Sequence, residues 1–474
     1  MKYDPTKALE KIYLNYAGVF PLSITPLALS GSNRKYFRLQ GNYNSVIGVI
    51  GSDIDENRAF FYLTNHFAGK NLPVPKLLKV SEDETTYLLS DLGNQSLFEL
   101  LHDTDWEKNN TSGIKDIVSQ TFDTLISFQV EGIKGLETTM CYPKDEFDKQ
   151  SILWDLNYFK YCFLKPSEVN FHEAKLEEEF NALADMLLKA PSNFFMYRDF
   201  QSRNIMVHNN TPYFIDYQGG RKGPCLYDVA SFLYQARANF PQRIRDDIFA
   251  TYLGKLSTII NIDEALHKNL YPAFILFRSL QTLGAYGYRG FFERKCHFLS
   301  SIPMASSNAF QIVNQVPLAL PHITNILRAI AQKYSIEGGE INSYNGLTVH
   351  ISSFSFKKGY PHEHPEHGGG FVFDCRGLPN PGRLPEYASQ TGLDDSVANF
   401  LGKQREVEKF FDKTLSIIRE TIDVYKTRGF HHLSISFGCT GGQHRSVYLA
   451  SRTSEIINKI DGLRVVVVHR ELEL

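Results

Sequence analysis

The stretch from Phe194 to Gln218, FFMYRDFQSRNIMVHNNTPYFIDYQ, is a short β-like island inside a region of helical periodicity. Two apolar runs flank Asn209 and Asn210, a pair suited to a tight turn, so the pattern predicts a hairpin. Asp199 follows an arginine, Asn204 stands five positions after it, and Asp216 ends the run PYFID. Phosphoryl transfer from a nucleotide needs a carboxylate near the acceptor hydroxyl, then an amide and a second carboxylate for magnesium. The island offers these groups in that order. Each residue alone reads as ordinary turn or strand-end chemistry, and only the ordered set points to catalysis. Asp228, directly before VASFLYQA, reads as a helix N-cap.

Upstream, GSNRKYFRL, the apolar run SVIGVIG, the helix-like ENRAFFYLTNHFAGK, VPKLLKV and TTYLLSDL describe a β-rich lobe with one helix, residues 1–92. From about residue 112 the apolar positions recur at three and four, as in DIVSQTFDTLISFQ and KLEEEFNALADMLL, so residues 93–333 read as a helical lobe that holds the island. Helices are expected to resume at Asp228. YSIEGGEINSYNG then breaks the pattern with glycines and asparagines and marks a domain boundary. Residues 346–474 alternate strand and helix, which predicts an α/β layer with largely parallel pairing.

The segments YRDFQSRNIMV, FIDYQGGRKGPCLYDVASFL, GSNRKYFRL and YLLSDLGNQSL resemble the aminoglycoside phosphotransferase family. The similarity is to its branch of predicted sugar kinases that includes N-acetylmuramate/N-acetylglucosamine 1-kinases, and it covers about residues 1 to 333. It implies an α+β bilobal protein-kinase-like fold of the aminoglycoside phosphotransferase type, followed here by the α/β C-terminal domain. It also implies ATP and Mg2+ in the cleft and a sugar hydroxyl as acceptor. Carried onto this chain, the resemblance makes Asp199 the catalytic base, Asn204 a magnesium ligand and Asp216 the principal one. It sets adenine against the backbone of Ser90, Asp91 and Leu92. Protein kinases carry a phosphate-binding lysine in the third strand, and the matching SVIGVIG has none. Arg34, Lys35 and Arg38, read as part of a phosphate-covering turn, are the candidates to replace it. A noncatalytic regulatory adapter is the competing expectation.

In the last domain, SISFGCTGGQHRSVYLASRT reads as strand, glycine-rich turn and helix. Backbone amides at such a helix start cradle an anion, here around Thr440, Gly441 and Gly442, with His444, Arg445 and Ser446 beside them. No Gly-Lys-Ser/Thr closes the turn, so it is not a Walker A loop. GGFVFDC delivers Asp374 and Arg376, and LRVVVVHR delivers His469 and Arg470, at the C-terminal ends of presumed parallel strands, which predicts a basic pocket. FDCRGLPNP, QTGLDDSVANFL and FGCTGGQHRSVYLA closely resemble the C-terminal domain of the RNase adapter protein RapZ, across about 346 to 474. That resemblance implies recognition of a phosphorylated amino sugar and an association with small RNA. The short acidic end HRELEL weighs against RNA, and the glycine turn departs from that family in having Gln443 where a lysine would stand. YPHEHPEHGGG gathers His362, His364 and His367, read as a solvated loop with metal binding as the alternative.

The 474 residues suffice for two or three domains, and a net charge of -2 gives no global electrostatic case for nucleic acid. The six cysteines form no C-x-x-C pair, and no apolar run is long enough for a leader or a membrane span. A cytoplasmic protein without a membrane partner, acting on small molecules, is expected.

Overall fold

The structure, a computed structural model, describes residues 5–27, 34–102, 104, 106, 112–235, 240–293, 295–299, 301–334, 346–361 and 369–472. They form two compact units, residues 1–288 with 301–335, and residues 289–300 with 336–474. His362, His364 and His367 lie outside the described residues.

The first unit opens with α1 (Pro5–Ala17), then β1 (Ser23–Pro26), β2 (Lys35–Gln40), β3 (Ser45–Ile50), α2 (Ile54–Ala68), β4 (Leu77–Val80) and β5 (Thr86–Ser90). The strands make an antiparallel sheet in the order β1-β2-β3-β5-β4. Among its described residues this lobe holds two helices where one was expected. In α1, Leu9, Ile12 and Tyr13 recur at three and four and are buried with Leu39, Val46 and Leu88 of the sheet. The expected basic turn is likewise corrected from Lys35 onward, because alternation of Phe37 and Leu39 into the core makes a strand there. Helix α2 is N-capped by Asp53, whose side chain accepts from the Glu56 N–H, and buries Phe60, Leu63 and Phe67.

The helical lobe follows with α3 (Leu97–His102), α4 (Ser112–Val130), α5 (Lys149–Phe159) and α6 (Glu173–Leu187). The island becomes β6 (Phe194–Met196), β7 (Ile205–His208), β8 (Thr211–Phe214) and β9 (Arg221–Gly223). The hairpin of β7 and β8 turns on Asn209 and Asn210 at φ 49° and 58°, a left-handed pair that asparagine tolerates. Next come α7 (Leu226–Leu233), α8 (Gln242–Ile259), α9 (Glu264–Gly287), α10 (Cys296–Leu299), α11 (Ile302–Val313) and α12 (Pro321–Lys333), with α10 grouping with the second unit. Helix α9 is buried almost all round, through Phe274, Ile275, Leu276, Phe277, Leu280 and Leu283, and carries Arg278 in that apolar setting.

The second unit contains β10 (Leu347–Ser355), β11 (Gly370–Asp374), α13 (Asp395–Gly402), α14 (Arg405–Thr427), β12 (His432–Cys439), α15 (Arg445–Ile457) and β13 (Leu463–His469). Its sheet runs β11-β12-β10-β13, every pair parallel. Helix α14 turns Val407, Phe411, Ile418 and Ile422 into a core shared with Val349, Ile351, Leu433, Ile435 and Phe437. Parallel pairing brings all four C-terminal strand ends to one edge, with Ser355 opposite Cys439, Asp374 opposite Gly438 and Ser353 opposite His469. Among the described residues no helix is long and apolar enough to cross a membrane, and Cys141, Cys162, Cys225, Cys375 and Cys439 are free thiols.

Candidate active site

The loop after β6 is held by buried charge. Arg198 sits at φ 77°, a left-handed conformation that costs a non-glycine residue free energy. Its guanidinium donates to both oxygens of Asp155 at 2.9 and 2.7 Å. The backbone N–H groups of Tyr197 and Arg198 both donate to Asp228, each at 2.9 Å. Asp228 is therefore not the N-cap expected from its position. It lies within the first turn of α7, fully buried, and braces the neighbouring loop instead of its own helix. Gln129 donates to the same carboxylate at 3.2 Å, and Tyr252 donates to Gln129 at 2.6 Å. Burial pushes the Asp228 carboxyl up to about 7 against the pull of these donors. Neither Asp155 nor Asp228 was recognised as a support from the sequence. The signal available was a carboxylate inside the apolar run LYDVASFL.

The braced loop leaves Asp199 47% exposed, in contrast to its buried surroundings. Asn204 donates its side-chain N–H to the Asp199 carbonyl at 2.9 Å, which leaves the amide oxygen for another partner. Asp216 stands at φ 67° just after β8. Burial raises its carboxyl above the ordinary range, the nearby Asp199 charge adds to this, and the Gln218 side chain opposes it. The Asp199 charge thus bears on Asp216, while the charges of Arg34 and Arg203 pull the other way.

The three basic candidates separate. Lys35 is exposed at the start of β2. Arg38 is bound to the lobe connection, donating to both oxygens of Asp91 at 2.6 and 3.0 Å and to Asn94. Ser45 also donates to Asp91, at 2.6 Å. Arg38 is thus a brace within the β-lobe, where it was expected on a phosphate-covering turn. Arg34 is 2% exposed and lies 3.6 Å from Glu56 of α2. Gln218 joins the two halves, donating to Glu56 at 3.2 Å and to Asp216 at 2.9 Å. An Arg34–Glu56–Gln218–Asp216 chain results. Along the connection, the Ser90 hydroxyl accepts from the Lys76 N–H at 2.9 Å and the Leu92 carbonyl lies 3.2 Å from His208 Nδ1, so these residues fasten the hinge.

In the second unit, the turn between β12 and α15 leaves Thr440 and Gly441 exposed. Gly442 sits at φ 73°, where an added Cβ would meet the Ser355 nitrogen at 2.9 Å and the Glu471 side chain, so only glycine fits. Its N–H is held by Cys439 Sγ at 3.2 Å, and the buried Ser446 hydroxyl lies 3.1 Å from the same sulfur. The expected basic pocket is less basic than its residue types suggest. Arg445 is 4% exposed and donates to the carbonyls of Arg376 and Leu378, both at 2.9 Å. Arg376 pairs with Asp374 at 2.7 Å and stacks over Phe356, while burial lowers the His469 imidazole, which contacts Ser353 and Ser451. His444 Nε2 lies 3.0 Å from the Tyr387 carbonyl, and Arg470 is exposed at the sheet edge. The Gly442 and Ser446 amides are turned onto the Cys439 sulfur, so the exposed backbone of Thr440 and Gly441, with Arg470, is what this edge presents to solvent.

Comparison with known proteins agrees with both halves. Residues 23–260 match the phosphotransferase enzyme family and residues 347–473 match the RapZ C-terminal domain. A nucleotide-binding protein of Thermotoga sp. (strain RQ2) is 40% identical over 133 residues, 28% of this chain and 45% of that one. A nucleotide-binding protein of Staphylococcus epidermidis (strain ATCC 12228 / FDA PCI 1200) is 40% identical over 132 residues, 28% of this chain and 42% of that one. The chain spans less than half the length of these relatives. Among solved structures, a choline/ethanolamine kinase family protein from Mesorhizobium loti shares 14% identity at a TM-score of 0.42, covering 67% of this chain and 94% of that one. An ethanolamine kinase of Plasmodium vivax shares 12% at 0.45, covering 62% and 85%. Scores at this level add nothing to the assignment. The phosphotransferase match spans half of the chain and includes Asp199, Asn204 and Asp216, and the chain belongs to the phosphotransferase enzyme family, with a RapZ C-terminal domain following it.

Proposed function

We propose that this chain is a cytoplasmic ATP- and magnesium-dependent sugar kinase. It transfers a phosphoryl group to the anomeric hydroxyl of an N-acetylated amino sugar, and its second unit senses a sugar phosphate. The observation that carries the enzymatic half is the exposed Asp199 on a loop braced by Asp155 and Asp228, with its charge felt at Asp216. An exposed carboxylate on a rigid support can take the proton of an acceptor hydroxyl as that oxygen attacks. Asn204 through its amide oxygen, and Asp216 through its carboxylate, are the residues that would hold magnesium, and the raised Asp216 carboxyl fits a cation that would relieve it. When bound, that ion neutralises charge on the nucleotide phosphates. Among the described residues no three His, Cys, Asp or Glu side chains gather as a metal site, so the other ligand positions would fall to phosphate and water.

Arg34 takes the part of the missing strand lysine in this reading, anchored to Glu56 as that lysine is to a helix glutamate. This favours a working kinase over the noncatalytic adapter. The amino-sugar acceptor is supported by the family resemblance of both domains, and the sugar phosphate by the resemblance of the second domain and the exposed Thr440 and Gly441 turn before a helix. Small RNA is disfavoured, because Arg445 and Arg376 of that edge are engaged internally. Incubating the full chain with labelled ATP, magnesium and N-acetylated amino sugars tests the proposal. Anomeric phosphate is expected. Transfer to no sugar would return the adapter reading, and phosphate on another carbon would overturn the position.

A further inference from the structure

After β13 the chain turns back onto the sheet edge of the second unit. The Arg470 N–H donates to the Ser353 carbonyl at 3.1 Å and the Leu472 N–H to the His469 carbonyl at 3.2 Å, a tight turn that carries Glu471 inward. The Glu471 side chain is 5% exposed, while Lys358, whose Nζ lies 2.6 Å from its Oε2, is 71% exposed. Oε1 accepts from the backbone N–H of Ser355, the last residue of β10, at 3.3 Å. The stem of the glutamate lies against the glycine turn, where a Cβ added to Gly442 would collide with Glu471 Cγ. The Ser355 hydroxyl donates to the Thr440 carbonyl at 2.8 Å, so strand end and turn are tied together without the glutamate.

A carboxylate is thus withdrawn from water at the place where the ends of β10, β12 and β13 meet the start of α15, the position at which a parallel α/β sheet receives an anion. It is held loosely for a buried acid. One donor is a backbone N–H at long range, and the other is a lysine whose exposure weakens the pair. A phosphate ester carries more charge than a carboxylate and spreads it over more oxygens, so it can take the same donors and also reach Arg470 and the exposed Thr440 and Gly441 backbone. We infer that Glu471 is an internal stand-in for the ligand's phosphate. It closes an anion site formed by the Ser355 N–H and Lys358, and a phosphorylated ligand enters by displacing it. The inference rests on the proposed recognition of a sugar phosphate by the second unit, and adds the residues of the anion site and the gate upon it.

Calorimetry of the full chain with inorganic phosphate and with N-acetylglucosamine 1-phosphate tests it. Glu471→Gln, which keeps the size and removes the charge, and Glu471→Ala are each expected to bind both probes about 10-fold more tightly than the wild type, because the open site is no longer a minor population. Adding Lys358→Ala to Glu471→Ala should reverse the gain, and a gain that persisted would take Lys358 out of the site. Equal affinity in the wild type and both Glu471 variants would overturn the gate and leave phosphate recognition standing. Weaker binding by both variants would make Glu471 a support of the site and overturn its role as a stand-in. Binding of neither probe by any of the proteins would overturn the sensing reading and the gate with it.

Discussion

The loop carrying Asp199 and the loop from Arg376 to Leu378 are each secured by a buried charge, of opposite sign and on opposite halves of the peptide group. Asp228 takes two backbone N–H groups beside Asp199. Arg445 gives two hydrogen bonds to the carbonyls of Arg376 and Leu378. In the first case amides are consumed and carboxylates are presented, which suits a cation. In the second, carbonyls of the loop after β11 are consumed by a guanidinium that itself stays buried. The lesson is that a buried, unreactive charge fixes a loop through the half of the peptide group it engages and leaves the side chains at the loop's surface to meet a partner.

The comparison can be tested most severely at its exposed carboxylate. Asp199→Asn is expected to lower turnover by about 1,000-fold while nucleotide affinity, measured by titration, stays near that of the wild type. Turnover at the wild-type level would remove Asp199 from the chemistry and make its loop structural, like the second one.

Removing the buried anion comes next. Asp228→Ala strands three donors and should cost about 3 kcal/mol or more in urea unfolding of the full chain. Its pH signature is separable. The carboxyl is raised to about 7 in the folded protein, above its ordinary value near 4. Its contribution is therefore fully present below that ordinary value and is lost as pH rises through about 7. Relative to Asp228→Asn, which cannot titrate, the wild type should lose stability between about pH 4 and pH 7 and then level off. A stability difference that stays flat across this window would show that Asp228 is ionised throughout.

The mirror-image change, Arg445→Ala, leaves two carbonyls without donors and is expected to cost about 2 kcal/mol by the same measurement. A loss below about 0.5 kcal/mol would mean that this guanidinium is not the clamp. The smallest effect is expected at the link between the lobes, where Arg34→Ala should raise the KM for ATP by about 10-fold. If Arg38→Ala or Lys35→Ala raised it more, the Arg34–Glu56–Gln218–Asp216 chain would lose its role in nucleotide binding.

What could be read along the chain was whatever depends on short spacing. The asparagine pair made the hairpin of β7 and β8, and the apolar runs of the last domain became four parallel strands with the glycine turn at a strand end. Alternation and helical periodicity report local burial, and local burial is enough to specify elements. The reading failed where the N-terminus was scanned only for a leader, although Leu9, Ile12 and Tyr13 carried a helical pattern.

The sequence by itself determined the elements, their order and the residue types available for chemistry. Tertiary structure alone decided which charges were available to a ligand. Arg38 and Asp91 are 53 residues apart and neutralise each other, Arg198 and Asp155 are 43 apart, and Arg278 meets Asp199 only because α9 runs through the core beneath the loop. A charge is free or engaged according to partners distant in the chain and to the solvent they exclude, and neither is encoded in the spacing of its neighbours.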